Sequence, residues 1–224
     1  MKVFTFTLYG TNPKYVRGLH ENIKIISEKF PDFKVAVFCG NDAPVHEFAN
    51  YPHVVLGPAK YPDHLARLDR FCAIDDKNVE IMIVRDSDSR INERDEWCIR
   101  EFIKSPHMAH IIRDHPYHTT QIMAGLWGIK QGCIRHLDMR RYIDLYIQQN
   151  RHIRRQDCDQ HFLRDIIYPK IVDMSLIHGC VKMNAHEEIV SIPFKHDHIF
   201  CGQAIEYTNE GAEYHNCNDC KALI

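Results

Sequence analysis

The chain has 224 residues, 45% of them hydrophobic and 26% charged, with a formal net charge of −2. That is the balance of a soluble globular protein able to bury a sizeable core, and we expect one domain over 1–224. The charge offers no footprint for nucleic acid or an acidic membrane surface, and no run approaches the roughly eighteen apolar residues of a membrane span.

Nine cysteines, an odd number, lie in apolar contexts such as "VFCG", "RFCAI" and "EWCIR". They suit reduced core thiols in a cytoplasmic protein better than a disulfide framework. The opening "MKVFTFTLYG" is too short and too soon interrupted for a signal peptide. It alternates Val3, Thr5, Thr7 against Phe4, Phe6, Leu8 and predicts a first strand. Asn12 as cap and Pro13 at the first helical position then open a helix carrying Val16, Leu19, Ile23 and Ile26 at helical spacing. "FKVAVFCG" and "HVVLGP" predict strands, "PDHLARLDRFCAID" a helix, and "VEIMIV" a buried strand. Asn92 caps a further helix whose first turn carries Glu93, Asp95 and Glu96, the sign that suits a helix N-terminus. "MAHIIRD" and "QIMAGLWGIKQ" predict strands, "HLDMRRYIDLYIQQ" a helix, and "DCDQHFLRDIIYP" a helix that stops before Pro169. Residues 170–224 read as irregular, with short strand candidates. Strands alternating with helices imply a mainly parallel sheet, and such sheets bind ligands at the carboxyl ends of their strands.

One strand ends in that position on "RDSDSR". In an extended segment Asp86 and Asp88 share a face, and two carboxylates so close repel unless positive charge lies between them. A divalent cation, hard and oxygen-liganded, is the natural partner. Arg85, Arg90 and Arg94 can pair with the acids or with a diphosphate. The plain alternative is a solvated turn. Arg67 and Arg70, three apart on one helical face, are either a solvated edge or a grip for pyrophosphate. Gly125 beside Ala124, read within a strand, suggests close approach by a ligand or another backbone. "RDHPYH" is a loop carrying His115 and His118, and "QDCDQ" places Asp157, Asp159 and Gln160 at a helix start, where acids also serve as caps.

The order of elements, with "IMIVRDSDSRIN" mid-chain, resembles the GT-A glycosyltransferases. "RDSDSRINERD", "RDHPYHTTQIMAGLWGIKQG", "DQHFLRDIIYP" and "IFCGQ" are similar to pieces of a little-characterised bacterial and viral group of them. The resemblance implies an α/β fold with a mixed, mainly parallel sheet flanked by helices. It also implies transfer of a sugar from a nucleoside diphosphate sugar to an acceptor hydroxyl, such as that of a glycan. Asp86 and Asp88 would hold Mn2+ or Mg2+, with His198, in competition with His196, as a third ligand. Tyr9, Gly10 and Thr11 would meet the base and ribose; Arg67, Arg70, Arg85 and Ser87 the diphosphate; Gly125, His118 and Gln160 the donor sugar or acceptor. Asp159, then Asp157 or His115, would handle the acceptor proton. Rival readings are a nucleotide-sugar or glycan-binding protein without turnover, and a haloacid-dehalogenase-like phosphatase, whose Asp-x-Asp normally follows the first strand. "HNCNDC" at the tail, with His215, Cys217 and Cys220, falls short of a zinc site.

Overall fold

The structure is a computed structural model, and it describes residues 1–150, 157–194, 199–207 and 213–215. Its eight-stranded sheet has the order β3-β2-β1-β4-β6-β5-β7-β8. The strands are β1 (Lys2–Leu8), β2 (Phe33–Cys39), β3 (Val54–Pro58), β4 (Ile81–Val84), β5 (Ala109–Arg113), β6 (Trp127–Lys130), β7 (Ser175–Gly179) and β8 (Ile189–Val190). β6 runs antiparallel to β4 and β5, and every other pairing is parallel. The sheet is thus mixed and mostly parallel, as expected. β1 and β4 lie inside it and are buried almost throughout, because side chains on both faces are covered.

Helix α1 (Pro13–Lys29) starts as predicted, with the Asn12 side chain accepting from the Lys14 amide at 3.0 Å. It packs Val16, Leu19, Ile23 and Ile26 with Phe4, Phe6 and Ile83 of the sheet. Helix α2 (Glu93–Lys104) is capped by Asn92, which accepts from the Asp95 amide at 3.0 Å, and adds Ile99 and Phe102 to that core. Helix α3 (Met139–Gln149), capped by Asp138, packs Met139, Ile143 and Tyr146 into the core of the opposite face, around Leu68, Phe71 and Trp127. A two-stranded antiparallel ribbon of β9 (Ile205–Tyr207) and β10 (Glu213–His215) follows. The stretch leading into it is held across the acidic turn by the Ile205 amide, which donates to the Asp88 carbonyl at 2.8 Å.

Three expectations are corrected. Asp63–Asp75 is a long 3-10 segment rather than an α-helix. Buried Asp69 at its middle accepts from the Tyr61 amide at 3.0 Å and pairs with Arg140, so tertiary bonds outweigh α propensity. Only Trp127–Lys130 of "QIMAGLWGIKQ" is strand; the Leu126 amide bonds the Met123 carbonyl at 2.9 Å, which makes 123–126 a turn. The helix after Asp157 does not stop at Pro169. It runs as α4 (Cys158–Phe162), a π turn over Leu163–Ile167 and α5 (Tyr168–Ile171), the wider turn relieving the clash a proline makes with the preceding turn. β7 falls in the stretch read as irregular with short strand candidates; it is an inner strand whose five residues include His178 and Gly179.

The end of β5 is fixed from below. Arg113 and Glu187 form a fully buried pair at 2.5 Å, and Glu187 also accepts from the Tyr168 hydroxyl at 2.6 Å and the Met183 amide at 2.7 Å. Burial works to raise the Glu187 carboxyl, but these bonds hold it down at about 2 against an ordinary 4.5. Glu187→Gln leaves Arg113 uncompensated and is expected to cost about 3–5 kcal/mol of stability at neutral pH in urea unfolding. Because the carboxyl's pKa is depressed on folding, its contribution is complete above about 4.5 and fades as pH falls toward 2. The unfolding free energies of wild type and variant should therefore converge across that window.

Candidate active site

β4 ends at Val84, and the Arg85 amide still donates to the Thr5 carbonyl at 3.1 Å before the chain leaves the sheet. Asp86, Ser87 and Asp88 follow, and all three line a cavity of about 250 Å³ at the carboxyl ends of β1 and β4. Asp86 pairs with Arg70, and Asp88 lies 3.4 Å from the Lys14 ammonium. Burial, and then the neighbouring Asp86, push the Asp88 carboxyl up, while Lys14 pulls it back.

Arg70 is the hinge of this wall. Its side chain is 5% exposed, donates to the Arg85 carbonyl at 3.2 Å, and bridges Asp86 to Asp159, the latter at 3.1 Å. Arg67, one 3-10 turn earlier and so on the same face, donates to the Tyr9 hydroxyl at 2.8 Å. Burial raises the Asp159 carboxyl against the pull of Arg70 and Arg67. Gln160 accepts from the Thr120 hydroxyl at 3.0 Å. His118 completes the far side; it is 6% exposed, and its Nδ1 is buried with no hydrogen-bond partner among the described residues. Burial, and then the adjacent His115, lower its pKa to about 4.

Gly125 closes over the acids. A Cβ there would sit 2.0 Å from Asp86 Oδ2 and 3.0 Å from the Asp86 amide nitrogen. A second cavity of about 270 Å³ adjoins along Tyr9 and is lined by Asn41, Asp42, Lys60 and Tyr61 from the ends of β2 and β3. Gly10, at φ +73, turns the chain there and donates its amide to Asp42 at 2.8 Å.

Of the residues singled out from sequence, the structure brings Tyr9, Arg67, Arg70, Asp86, Ser87, Asp88, His118, Gly125, Asp159 and Gln160 to one cavity wall. Others are placed elsewhere. The Arg85 side chain is buried on the other face, 3.3 Å from Asp95 and bonded to the Val84 carbonyl at 2.7 Å, because neighbouring residues of a strand point to opposite faces. Arg94 is clamped on Asp114 by two bonds of 2.6 Å, and Arg90 reaches the Tyr207 hydroxyl at 2.9 Å. His115 stacks on Phe200 at 4.2 Å, behind His118, and Asp157 is an exposed residue at the start of α4. Gly10 and Thr11 shape the turn without lining either cavity. His196, His198, Cys217 and Cys220 lie outside the described residues.

Lys14 and Gly202 were not singled out. Lys14 had a signal: a cation in the first turn of a helix opposes the helix dipole and calls for an acidic partner, here Asp88 and Glu206, the latter at 2.6 Å. Gly202 lies in "IFCGQ", one of the pieces that carried the resemblance, but no role was attached to it because it is distant in sequence from the acidic turn.

The donor set fits a divalent metal. Asp86 and Asp88 present hard carboxylate oxygens at one cavity, their present partners are cations, and the glycine opposite leaves Asp86 the room a Cβ would fill. Among the described residues no group of three or more histidine, cysteine, aspartate or glutamate side chains forms a complete cage.

No family model and no curated protein sequence matches the chain. Solved structures do. The galactosyltransferase LgtC, in complex with donor and acceptor sugar analogs, is 10% identical, with 79% of this chain and 73% of that one covered and a TM-score of 0.51. S. aureus TarS 1–349 in complex with UDP is 12% identical, with 86% of this chain covered and a TM-score of 0.50; the chain spans 61% of that structure. This chain has the GT-A fold. A glycosyltransferase involved in glycosylation of the major capsid of PBCV-1 is 14% identical over 80% of this chain and 82% of its own, at a TM-score of 0.49. In the GT-A frame the acidic turn follows an inner strand, and the Gly125 turn enters the strand antiparallel to it.

Gly125→Ala is expected to displace the Asp86 carboxylate and to weaken by about 10- to 100-fold whatever divalent-cation binding wild type shows in a titration with Mn2+.

Proposed function

We propose that the protein is a metal-dependent glycosyltransferase, one GT-A domain over 1–224, moving a sugar from a UDP- or GDP-sugar to an acceptor hydroxyl of a glycan. The observation that carries this reading is the joint placement of Asp86 and Asp88 at one cavity with Arg70 bonded to Asp86, at the carboxyl end of an inner strand of a GT-A fold. LgtC and TarS, at TM-scores of 0.51 and 0.50, support it, one structure holding donor and acceptor sugar analogs and the other UDP.

Asp86 and Asp88 would hold Mn2+ or Mg2+. When bound, the ion supplies Lewis acidity to the departing diphosphate and orients it. The chain's own part is electrostatic. Arg70, already desolvated and aimed by two carboxylates, offers fixed positive charge where the leaving group gathers negative charge, at little reorganisation cost. Arg67 extends that field toward Tyr9, which borders both cavities and separates a base-and-ribose compartment from the reacting end. Gly125 and Gly202 bring backbone close on the sugar side. Arg85 is withdrawn from the diphosphate role, since it neutralises Asp95.

Reduced thiols support a cytoplasmic setting: the seven described cysteines are all free. No helix among the described residues is long and apolar enough to cross a membrane. The GT-A fold leaves the phosphatase alternative without its scaffold.

Calorimetric titration with UDP, GDP and their sugar conjugates, with and without Mn2+, is the direct test. One nucleotide should bind only with metal, and the double variant Asp86→Ala/Asp88→Ala should lose that binding. Metal-independent binding that survives in the double variant would sink the proposal. Tight binding without donor hydrolysis or transfer would leave a sugar-nucleotide-binding protein.

A further inference from the structure

Lys14 breaks a local rule. It stands in the first turn of α1, where the helix dipole repels a cation, and its amide is the one that the Asn12 cap holds at 3.0 Å, so its place is fixed. Its ammonium lies 3.4 Å from Asp88 Oδ2 and 2.6 Å from Glu206 Oε1, and its side chain is 20% exposed. Asp88 lines the cavity that also holds Asp86 and Arg70, whereas Lys14 reaches Asp88 from α1 without lining the cavity itself.

Glu206 is brought there by a segment that pairs with the acidic turn. The Ile205 amide donates to the Asp88 carbonyl at 2.8 Å, and Ala204 forms an antiparallel bridge with Ser89. Tyr207 secures the far end, its hydroxyl accepting from Arg90 at 2.9 Å and its ring lying 5.4 Å from the Arg17 guanidinium. The backbone on both sides of Asp88 is therefore held without Lys14. What the ammonium adds at Asp88 is charge.

That charge acts in opposite directions on the two ligands. A divalent ion on Asp86 and Asp88 is repelled by an ammonium a few ångströms away, which weakens its binding by about tenfold even at a water-like dielectric. A diphosphate is attracted by the same ammonium. Glu206 gives Lys14 a second partner, so Asp88 can turn to an ion without stranding the ammonium. Resting on the glycosyltransferase reading, we propose that Lys14 sets the order in which the site fills. It holds lone divalent cations off Asp88 and favours an ion that arrives with its diphosphate, whose charges nearly cancel and feel the ammonium little. Lys14 is a positioning residue for metal and nucleotide, acting through Asp88.

The test is made on the full chain, with Mn2+ binding read from the spin resonance of the free ion and nucleotide binding by calorimetry with UDP and GDP. Lys14→Met should bind Mn2+ alone about tenfold more tightly than wild type, and once saturated with Mn2+ it should bind the nucleotide about threefold or more weakly. Lys14→Arg keeps the charge and should match wild type in both. A lysine that only supports the fold would lower both affinities on removal, so the opposed signs mark the charge effect. Glu206→Gln leaves the whole ammonium on Asp88 and should weaken binding of Mn2+ alone by about threefold. It also keeps the assignment testable if Lys14→Met fails to fold. Wild-type or weaker Mn2+ binding by folded Lys14→Met, a Lys14→Arg that behaves like Lys14→Met, or tighter Mn2+ binding by Glu206→Gln overturns the role of Lys14 while the glycosyltransferase reading stands. No metal-dependent nucleotide binding by wild type overturns both.

Discussion

Everything at the site depends on how a protein keeps three carboxylates, Asp86, Asp88 and Asp159, around one small cavity. The answer is charge matching. Lys14 lies against Asp88, and Arg70 against Asp86 and Asp159, with Arg67 adding to the field at Asp159. Three cations face three anions, so the described wall is near neutral before any ligand arrives. A divalent metal arriving with a diphosphate disturbs that balance little. Such a network holds only as a set: removing one partner strands another charge away from water, which costs more than the pair itself contributes. Arg70 matters most, because its guanidinium ties the 3-10 segment, the end of β4 and the start of α4 into one body.

The reversed strand explains the rest of the enclosure. Had β6 run parallel to β4, its carboxyl end would share the edge with Asp86 and its approach turn would lie on the far side of the sheet. Because it is antiparallel, with Val84 opposite Trp127, the residues before Trp127 arrive beside Arg85 and Asp86. The turn at 123–126 therefore lies on the ligand edge, and Gly125 is the residue that lets backbone pass within reach of the Asp86 carboxylate. Trp127 anchors the turn from below, fully buried and edge-on to Phe71 at 5.5 Å.

Much of this was legible from residue patterns. β1 to β5 and α1 to α3 follow from apolar spacing and from caps at Asn12 and Asn92, all local signals. Period-two alternation put Asp86 and Asp88 together. Applied strictly, it would also have sent Arg85 to the opposite face, where it lies. It would have sent Ser87 there too, yet Ser87 lines the cavity, because the strand has ended at Val84 and alternation ends with it. What stayed illegible was non-local. The 3-10 winding of 63–75 depends on Asp69 finding Tyr61 and Arg140, and β7 is a strand because β5 and β8 flank it, not because "SLIHG" demands it.

Sixteen histidines invite a metal reading, but their surroundings divide them. His110 and His178, on neighbouring strands, share a 2.9 Å hydrogen bond, and both rings are fully buried among Phe102 and Trp97. Burial lowers both, His178 to about 4, so the pair is a neutral polar element of the core. His118 shares their depressed basicity but not their isolation, since it faces the cavity that holds Asp86, Arg70 and Asp159. A neutral imidazole sealed against another imidazole has no substrate to act on. The same imidazole on the wall of a charged cavity has polar neighbours within reach. Chemistry here follows from what each ring is packed against, and the count of histidines says little about it.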